Sequence, residues 1–146
     1  MPSNTGRVLA IDYGVRRVGL AVSDELGIIA SGAGTMQNGD DFLSRLMVLI
    51  MERDIGTVII GLPLTLRGEH GVSAAMVEKF ADQLREATTR PVHLVDERFT
   101  SSIAERTIRE MGVGKKKRRD KGKVDEIAAI ILLQGYLDTH TKTAGI

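Results

Sequence analysis

Acidic residues stand at three points of the sequence where an apolar run begins or ends. Asp12 follows the run VLAI, the pair Asp96–Glu97 follows VHLV, and the pair Asp125–Glu126 precedes IAAIILL. A carboxylate beside buried apolar residues is unfavourable unless it is hydrogen bonded, paired or bound to a metal. Carboxylates with water suit hard cations such as Mg²⁺ or Mn²⁺. Such cations activate a water molecule and stabilise the leaving oxygen of a phosphodiester, so these residues predict metal-assisted hydrolysis.

Each of these acids also has a simpler structural explanation. Asp12 is a suitable cap for the turn that follows it, and the helix dipole favours an acid such as Asp125 or Glu126 in a first helical turn. Neighbouring strand residues face opposite sides of a sheet, so only one of Asp96 and Glu97 is expected beside Asp12. The last helix is apolar on every side, so its periodicity leaves the choice between its two acids open.

The positive charge of the chain is concentrated in one segment. Between Lys115 and Lys123 there are seven basic residues and one acid, whereas the whole chain has a formal net charge of only +1. A basic segment on a mildly acidic body indicates a polyanionic partner that is contacted at one place. Because the segment precedes Asp125, we expect it to contact nucleic-acid phosphates. The predicted nucleic-acid-binding residues are Arg17, Arg98, Lys115, Lys116, Lys117, Arg118, Arg119, Lys121 and Lys123.

The composition disfavours several other chemistries. The chain has no cysteine, which excludes a disulfide framework, a thiol nucleophile and a thiolate zinc site. The three histidines, His70, His93 and His140, are scattered along the chain. The stretch Gly112–Lys115 lacks the spacing and the Ser or Thr of a phosphate-binding loop. Without tryptophan, and with two tyrosines and three phenylalanines, a base-stacking platform is not expected, which favours recognition of backbone and shape.

The sequence indicates a cytoplasmic protein. Met1–Gly6 is short and polar, unlike a secretory signal. No apolar run approaches the length that a membrane span requires, so we expect no membrane partner. The absence of cysteine is compatible with a reducing compartment.

Hydrophobic patterning predicts the elements that must position the acids. The predicted strands are Arg7–Tyr13, Arg17–Ser23, Ile28–Thr35, Thr57–Leu62 and Val92–Val95. One predicted helix is capped by Asp40 or Asp41 and ends near Asp54, and a second spans Val72–Ala87. A third is capped by Thr100, Ser101 or Ser102 and ends near Met111, and the last spans Val124–Leu137. Short connections favour hairpins among the first three strands. The order βββαβαβαα predicts an α/β fold with a mixed sheet, antiparallel and then parallel, flanked by helices.

The length of 146 residues suits one domain. We expect a flexible N-terminus at 1–6, a domain at 7–140 that contains a basic loop at 112–123, and a C-terminal tail at 141–146.

Four motifs, taken in order, resemble those of the YqgF/RuvX family. They are Asp12-Tyr13-Gly14 with Arg17, Gly19 and Ala21; Gly61-Leu62-Pro63-Leu64 with Gly68; Asp96-Glu97-Arg98-Phe99-Thr100-Ser101; and Lys121-Gly122-Lys123-Val124-Asp125. The match runs from about Arg7 to His140. Each motif is weak alone, and four in order at compatible spacing are specific.

The resemblance implies an RNase H-like three-layer fold with a five-stranded sheet, related to the RuvC junction resolvases. It implies Asp12, Glu97 and Asp125 as the catalytic acids that bind Mg²⁺ or Mn²⁺. Related nucleases often carry a fourth acid one turn after the last, and here Ala128 occupies that position. Asp96 and Glu126 are the remaining acids that are near enough in sequence to assist the metal site.

Family members are described either as Holliday-junction resolvases or as nucleases that mature the 5′ end of the 16S ribosomal RNA precursor. A resolvase needs two sites related by a two-fold axis, hence a dimer, and the apolar runs of this chain are already assigned to one core. We therefore expect a monomer or weak homodimer that processes pre-16S rRNA, with cleavage of four-way DNA junctions as the alternative. A non-catalytic RNA-binding protein and an ATP-binding module of the same fold are the other classes to test.

Overall fold

The computed structural model describes residues 6–63, 71–97 and 121–144, with only the backbone of 121–123 and 141–144. Its strands are β1 (Arg7–Asp12), β2 (Arg17–Ser23), β3 (Ala30–Gln37), β4 (Ile55–Leu62) and β5 (Val92–Asp96). Its helices are α1 (Phe42–Glu52), α2 (Val72–Ala87) and α3 (Lys121–Ala144). The predicted helix that ends at Met111 lies outside the described residues.

The five strands form one mixed sheet in the order β3-β2-β1-β4-β5. β1 pairs antiparallel with β2, and β2 pairs antiparallel with β3, because short turns connect these strands. β1, β4 and β5 are parallel, since α1 and α2 provide the crossovers between them. The predicted mixed sheet is confirmed.

Alternating residues of β1 divide the core into two layers. Leu9 and Ile11 pack with the buried residues of α1 and α2, whereas Ala10 faces α3 on the other side. The α3 face of the sheet is built largely from small residues, which allow the helix to approach closely. This face comprises Ala10, Ala21, Ala30 and Ile59, covered by Ala129, Ile130, Leu132, Leu133 and Leu137.

The helix α3 begins at Lys121 and ends at Ala144, so it is longer than the apolar pattern predicts. The predicted bounds of Val124–Leu137 are therefore wrong at both ends. Residues 121–123 of the predicted basic loop are helical, as is most of the predicted tail. Periodicity detects only the buried part of a helix, whereas backbone hydrogen bonds continue into its exposed turns. Near the C-terminal end, the rings of Tyr136 and His140 stack with centroids 3.8 Å apart.

The start of β3 also differs from its prediction, since Ile28 and Ile29 lie in the preceding turn rather than in the strand. The Asp24 carboxylate accepts the backbone N–H groups of both residues, at 2.7 and 2.9 Å. These bonds satisfy the N–H groups locally, so the strand begins at Ala30. Among the helices of the described ranges, none is long and apolar enough to cross a membrane.

The helix α1 begins where it is predicted to begin, with Asp41 as its N-cap residue. The Asp41 side chain makes no capping hydrogen bond and instead lies 3.7 Å from Arg45. In α2 the predicted bounds are confirmed. Its buried residues are Ala74, Val77, Phe80, Ala81 and Leu84.

Candidate active site

Asp12 is the last residue of β1 and lies at the edge where the parallel strands end. It faces the α3 side of the sheet, because it is two residues beyond Ala10. Its register partner on β2 is Gly19. The carboxyl ends of parallel strands are where α/β proteins place ligands, and Asp12 is the first acid at that edge.

Glu97 directly follows β5 and reaches back across β4 to Asp12. Its side chain lies over Gly61, where an added Cβ would collide with the Glu97 carboxylate. The carboxyl groups of Asp12 and Glu97 share a hydrogen bond. Gly61 therefore leaves the open space through which an acid from a strand two places away meets Asp12.

Asp125 lies in the first part of α3, directly over β2. An added Cβ at Gly19 would collide with the Asp125 backbone carbonyl, so the missing side chain seats the helix against the strand. Two residues earlier on the same face of β2, Arg17 donates from Nε to Asp125 Oδ2 at 3.0 Å. Since Gly19 is the register partner of Asp12, this packing brings Asp125 to the same edge.

The carboxyl groups of Asp12 and Glu97 have perturbed pKa values. Burial, the nearby charge and hydrogen bond of Glu97, and the charge of Asp125 raise the pKa of Asp12 from 3.8 to about 7. Burial and the charge of Asp96 raise the pKa of Glu97, and the hydrogen bond from Asp12 opposes that rise. A cluster of carboxyl groups that retains a proton near neutral pH is stabilised by any cation that replaces the proton.

The donor set fits a hard divalent cation, because it consists of carboxylate oxygens. In the arrangement shown, however, no three acidic or histidine side chains of the described residues surround one point. Asp12 is hydrogen bonded to Glu97, and Asp125 is ion-paired with Arg17. Side-chain rotation at these positions is therefore required before the three acids can share a cation.

Glu126, the neighbour of Asp125, is directed to a different strand. Its Oε2 accepts the N–H of Gly34 at 2.7 Å, and its carboxylate fills the space above Gly32. Gly34 has φ +86°, in a bulge where the β2–β3 register shifts. The structure therefore separates the two acids, with Asp125 beside Asp12 and Glu126 on β3. The two β3 glycines were the sequence signal for this contact, and reasoning from acids alone missed it.

Arg17 is the one predicted nucleic-acid-binding residue whose side chain the structure describes, and it lies within the acidic cluster. Lys121 and Lys123 are in the first turn of α3, where only the backbone is described. The remaining predicted residues lie outside the described ranges: Arg98, Lys115, Lys116, Lys117, Arg118 and Arg119.

Asp12, Glu97 and Asp125 together form an acidic edge of the sheet. The fold and this acidic edge define an RNase H-like protein. The chain is similar in structure to T. thermophilus RuvC in complex with a Holliday junction substrate, with a TM-score of 0.59 at 15% identity. The alignment covers 93% of this chain and 97% of that one. The predicted RNase H-like architecture is thereby confirmed.

The chain belongs to the RuvX family, whose model is described as Holliday junction resolvase and matches residues 6–139. A relative from Porphyromonas gingivalis is 46% identical over 134 residues, covering 91% of this chain and 96% of the relative. A relative from Chloroflexus aurantiacus is 41% identical over 135 residues, covering 91% and 87%. Both relatives are named as candidate pre-16S rRNA nucleases. The resemblance stated from the four motifs is confirmed, and the family is one of nucleases.

Proposed function

We propose that the protein is a divalent-metal-dependent endonuclease that hydrolyses phosphodiester bonds in structured nucleic acid. The observation that carries the proposal is the convergence of Asp12, Glu97 and Asp125 from three separate elements onto one edge of the sheet. The family and the names of the relatives support nuclease chemistry. We assign all three acids as catalytic residues and ligands of Mg²⁺ or Mn²⁺.

A bound divalent cation would activate the attacking water and stabilise charge on the leaving oxygen. The Asp12 carboxylate interacts with both Glu97 and Asp125, which supports our assignment of Asp12 as the central ligand of the three. Ionisation of Asp12 and Glu97 would accompany cation binding, because carboxylates bind metal in their charged form. Glu126 takes no part in this step, since its carboxylate holds the β3 backbone.

We further propose that the cellular substrate is the 5′ end of pre-16S rRNA. The names of the relatives support this choice. Resolution of a four-way DNA junction is the second candidate, favoured by the description of the RuvX family. Paired nicks in a junction need two sites related by a two-fold axis, whereas a processing cut needs one.

The test compares matched substrates in Mn²⁺: a ribosomal precursor end, a four-way DNA junction and plain duplexes. Glu97→Gln and Asp125→Asn should abolish cleavage, and Glu126→Gln is the matched control because it alters the acid adjacent to Asp125. Equal cleavage by Asp125→Asn and wild type would contradict the site. Excess EDTA should stop the reaction, and cleavage that continues in EDTA would exclude the metal mechanism.

The same substrates distinguish the remaining classes. Sedimentation of a stable dimer together with symmetric nicks in the junction and an intact ribosomal precursor would favour the resolvase. RNA binding without cleavage in any divalent metal would identify a non-catalytic RNA-binding protein. Saturable ATP binding in a nucleotide titration would favour the ATP-binding module.

We also propose that residues 115–123 bind substrate phosphates outside the acidic edge. Replacing Lys115, Lys116, Lys117, Arg118 and Arg119 by Ala should weaken binding to all sequences alike. Each lost phosphate contact should reduce the slope of log affinity against log salt by roughly 0.7–0.9. An unchanged slope would show that this segment makes no phosphate contact.

A further inference from the structure

Arg17 occupies an unusual position for a residue expected to bind nucleic acid. Its Nε bonds to Asp125 Oδ2 at 3.0 Å, which leaves the two terminal nitrogens, Nη1 and Nη2, without a hydrogen-bond partner among the described residues. The Arg17 and Asp125 side chains are 32% and 27% exposed, so the pair lies at the rim of the site rather than in the core. Arg17 thus touches a proposed metal ligand and is also open to solvent.

Each of the three acids at this edge has a side-chain partner in this arrangement. Arg17 neutralises the Asp125 carboxylate, and Asp12 and Glu97 are hydrogen bonded to each other. A cation that engages Asp125 must compete with the Arg17 guanidinium, because both attract the same carboxylate.

We propose that Arg17 is an exchangeable counterion, released from Asp125 when a divalent cation binds there and transferred to a phosphate oxygen of the nucleic acid. Charge is conserved in this exchange: the arginine–carboxylate pair becomes a cation–carboxylate pair and an arginine–phosphate pair. The planar fork of Arg is suited to both partners, since it binds carboxylate and phosphate in the same geometry. Both halves of the exchange rest on the proposed function: the cation half on Asp125 as a metal ligand, and the phosphate half on binding of nucleic acid.

The exchange links the two ligands of the site. Nucleic acid that draws Arg17 away leaves Asp125 available to the cation, and a bound cation leaves Arg17 available to the phosphate. Linkage requires each ligand to increase the affinity of the other by the same factor. Arg17 would therefore suppress cation binding in the free protein and promote it when substrate is present.

The first test measures Mn²⁺ binding to the whole protein by calorimetry, without nucleic acid. Arg17→Met should tighten binding by about fivefold or more, because the competing charge is lost. Arg16→Met is the matched control, since Arg16 is the adjacent, exposed arginine and has no ion pair in the described part of the chain. In an Asp125→Asn background, Arg17→Met should have no further effect on Mn²⁺ affinity.

Unchanged or weaker Mn²⁺ binding by Arg17→Met would overturn the exchange, because it would make Arg17 a fixed support for Asp125. Equal tightening in Arg16→Met would also overturn it, since the effect would then come from net charge alone. Arg17→Gln provides a second variant if Arg17→Met is poorly folded, as judged by circular dichroism. Activity is not needed for this test, so failure of the proposed nuclease function would leave its result interpretable.

The second test measures the affinity of a pre-16S 5′-end RNA with EDTA and then with Ca²⁺, which replaces Mn²⁺ to limit turnover. The ratio of the two affinities should be larger for wild type than for Arg17→Met, and Arg16→Met should retain the wild-type ratio. An equal ratio in all three proteins would overturn the phosphate half of the proposal. Failure of the wild type to bind RNA at all would contradict the proposed function as well, and the Mn²⁺ titration would distinguish these cases.

Discussion

Two acids at the ends of neighbouring strands have opposite environments. Asp12 ends β1 beside two other acids, and its pKa is raised to about 7, first by burial and then by Glu97. Asp24 follows β2 at the opposite edge of the sheet, and its pKa is lowered, chiefly by the backbone N–H of Ile29. Both residues follow an apolar strand in the sequence. Position at a strand end therefore does not distinguish the proposed catalytic acid Asp12 from Asp24, whereas burial beside two other acids does.

The largest difference between Asp12 and Asp24 is expected in the rate of nucleic-acid cleavage. Asp12→Asn should reduce cleavage of the pre-16S substrate by at least about a hundredfold, because a proposed catalytic carboxylate is lost. Asp24→Asn removes the same charge at the opposite edge of the sheet. It should change the rate by less than about threefold, since Asp24 lies away from the proposed catalytic acids. Single-turnover rates in Mn²⁺ measure both effects. Similar losses in the two variants would remove the distinction between them.

The pH dependence of stability should differ in sign between the two acids. The folded protein binds the Asp12 proton more tightly than the unfolded chain, so its stabilisation is complete below about pH 4 and declines as the pH rises towards 7. Denaturant titrations should show a decline of roughly 1–4 kcal/mol in wild type that is smaller in Asp12→Asn, where only the raised pKa of Glu97 remains. The Asp24 contribution should instead be lost as the pH falls. A wild-type profile parallel to that of Asp12→Asn would contradict the raised pKa.

Substitution of the glycines that contact Asp125 and Glu97 should affect both stability and cleavage. Gly19→Ala would force the Asp125 backbone away from β2 and should destabilise the fold by about 1–3 kcal/mol while also abolishing cleavage. Gly61→Ala displaces only the Glu97 side chain, so it should reduce cleavage with a smaller loss of stability. Thermal unfolding and cleavage rates on the same samples measure the two effects. Full activity in Gly61→Ala would show that the Glu97 position over β4 is not required.

The smallest effect is expected at the β3 bulge. Gly34 has φ +86° and open space around it, so Gly34→Ala should destabilise the fold by about 1–2 kcal/mol through backbone strain alone. Gly71→Ala is the control, because Gly71 is equally open and has negative φ, and it should change stability by less than about 0.5 kcal/mol. Chemical denaturation resolves this difference. Equal stabilities would indicate that the bulge adopts another backbone conformation.

The parts of the molecule that follow local patterns could be predicted from the sequence. The bounds of β2 and α2 agree with their periodicity, and hairpin connections correctly predict the antiparallel half of the sheet. The choice between Asp125 and Glu126 could not be predicted from the helix pattern, because residues on all sides of that helix are apolar. It is decided by contacts with Gly19 and Gly34, which lie more than ninety residues away in the chain.

The long-range ion pair and hydrogen bond of the site could not be predicted from local sequence patterns either. Arg17 was predicted to bind nucleic acid, but its pairing with Asp125 spans 108 positions in the sequence. The Asp12–Glu97 hydrogen bond likewise depends on the order of the strands and on the absence of a side chain at Gly61. The motifs suggested which residues belong together, and only the fold shows which of them touch.

The position of α3 has a consequence for biosynthesis. Among the described elements this helix comes last in the sequence, yet it covers Ala10, Ala21 and Ala30 of the first three strands and carries Asp125. A nascent chain that has not yet released α3 therefore has an exposed sheet face and an incomplete set of acids. Because domains fold from the N-terminus as they are synthesised, docking of α3 closes the core and assembles the acidic edge in the same event. The proposed nuclease can therefore act only after α3 has left the ribosome.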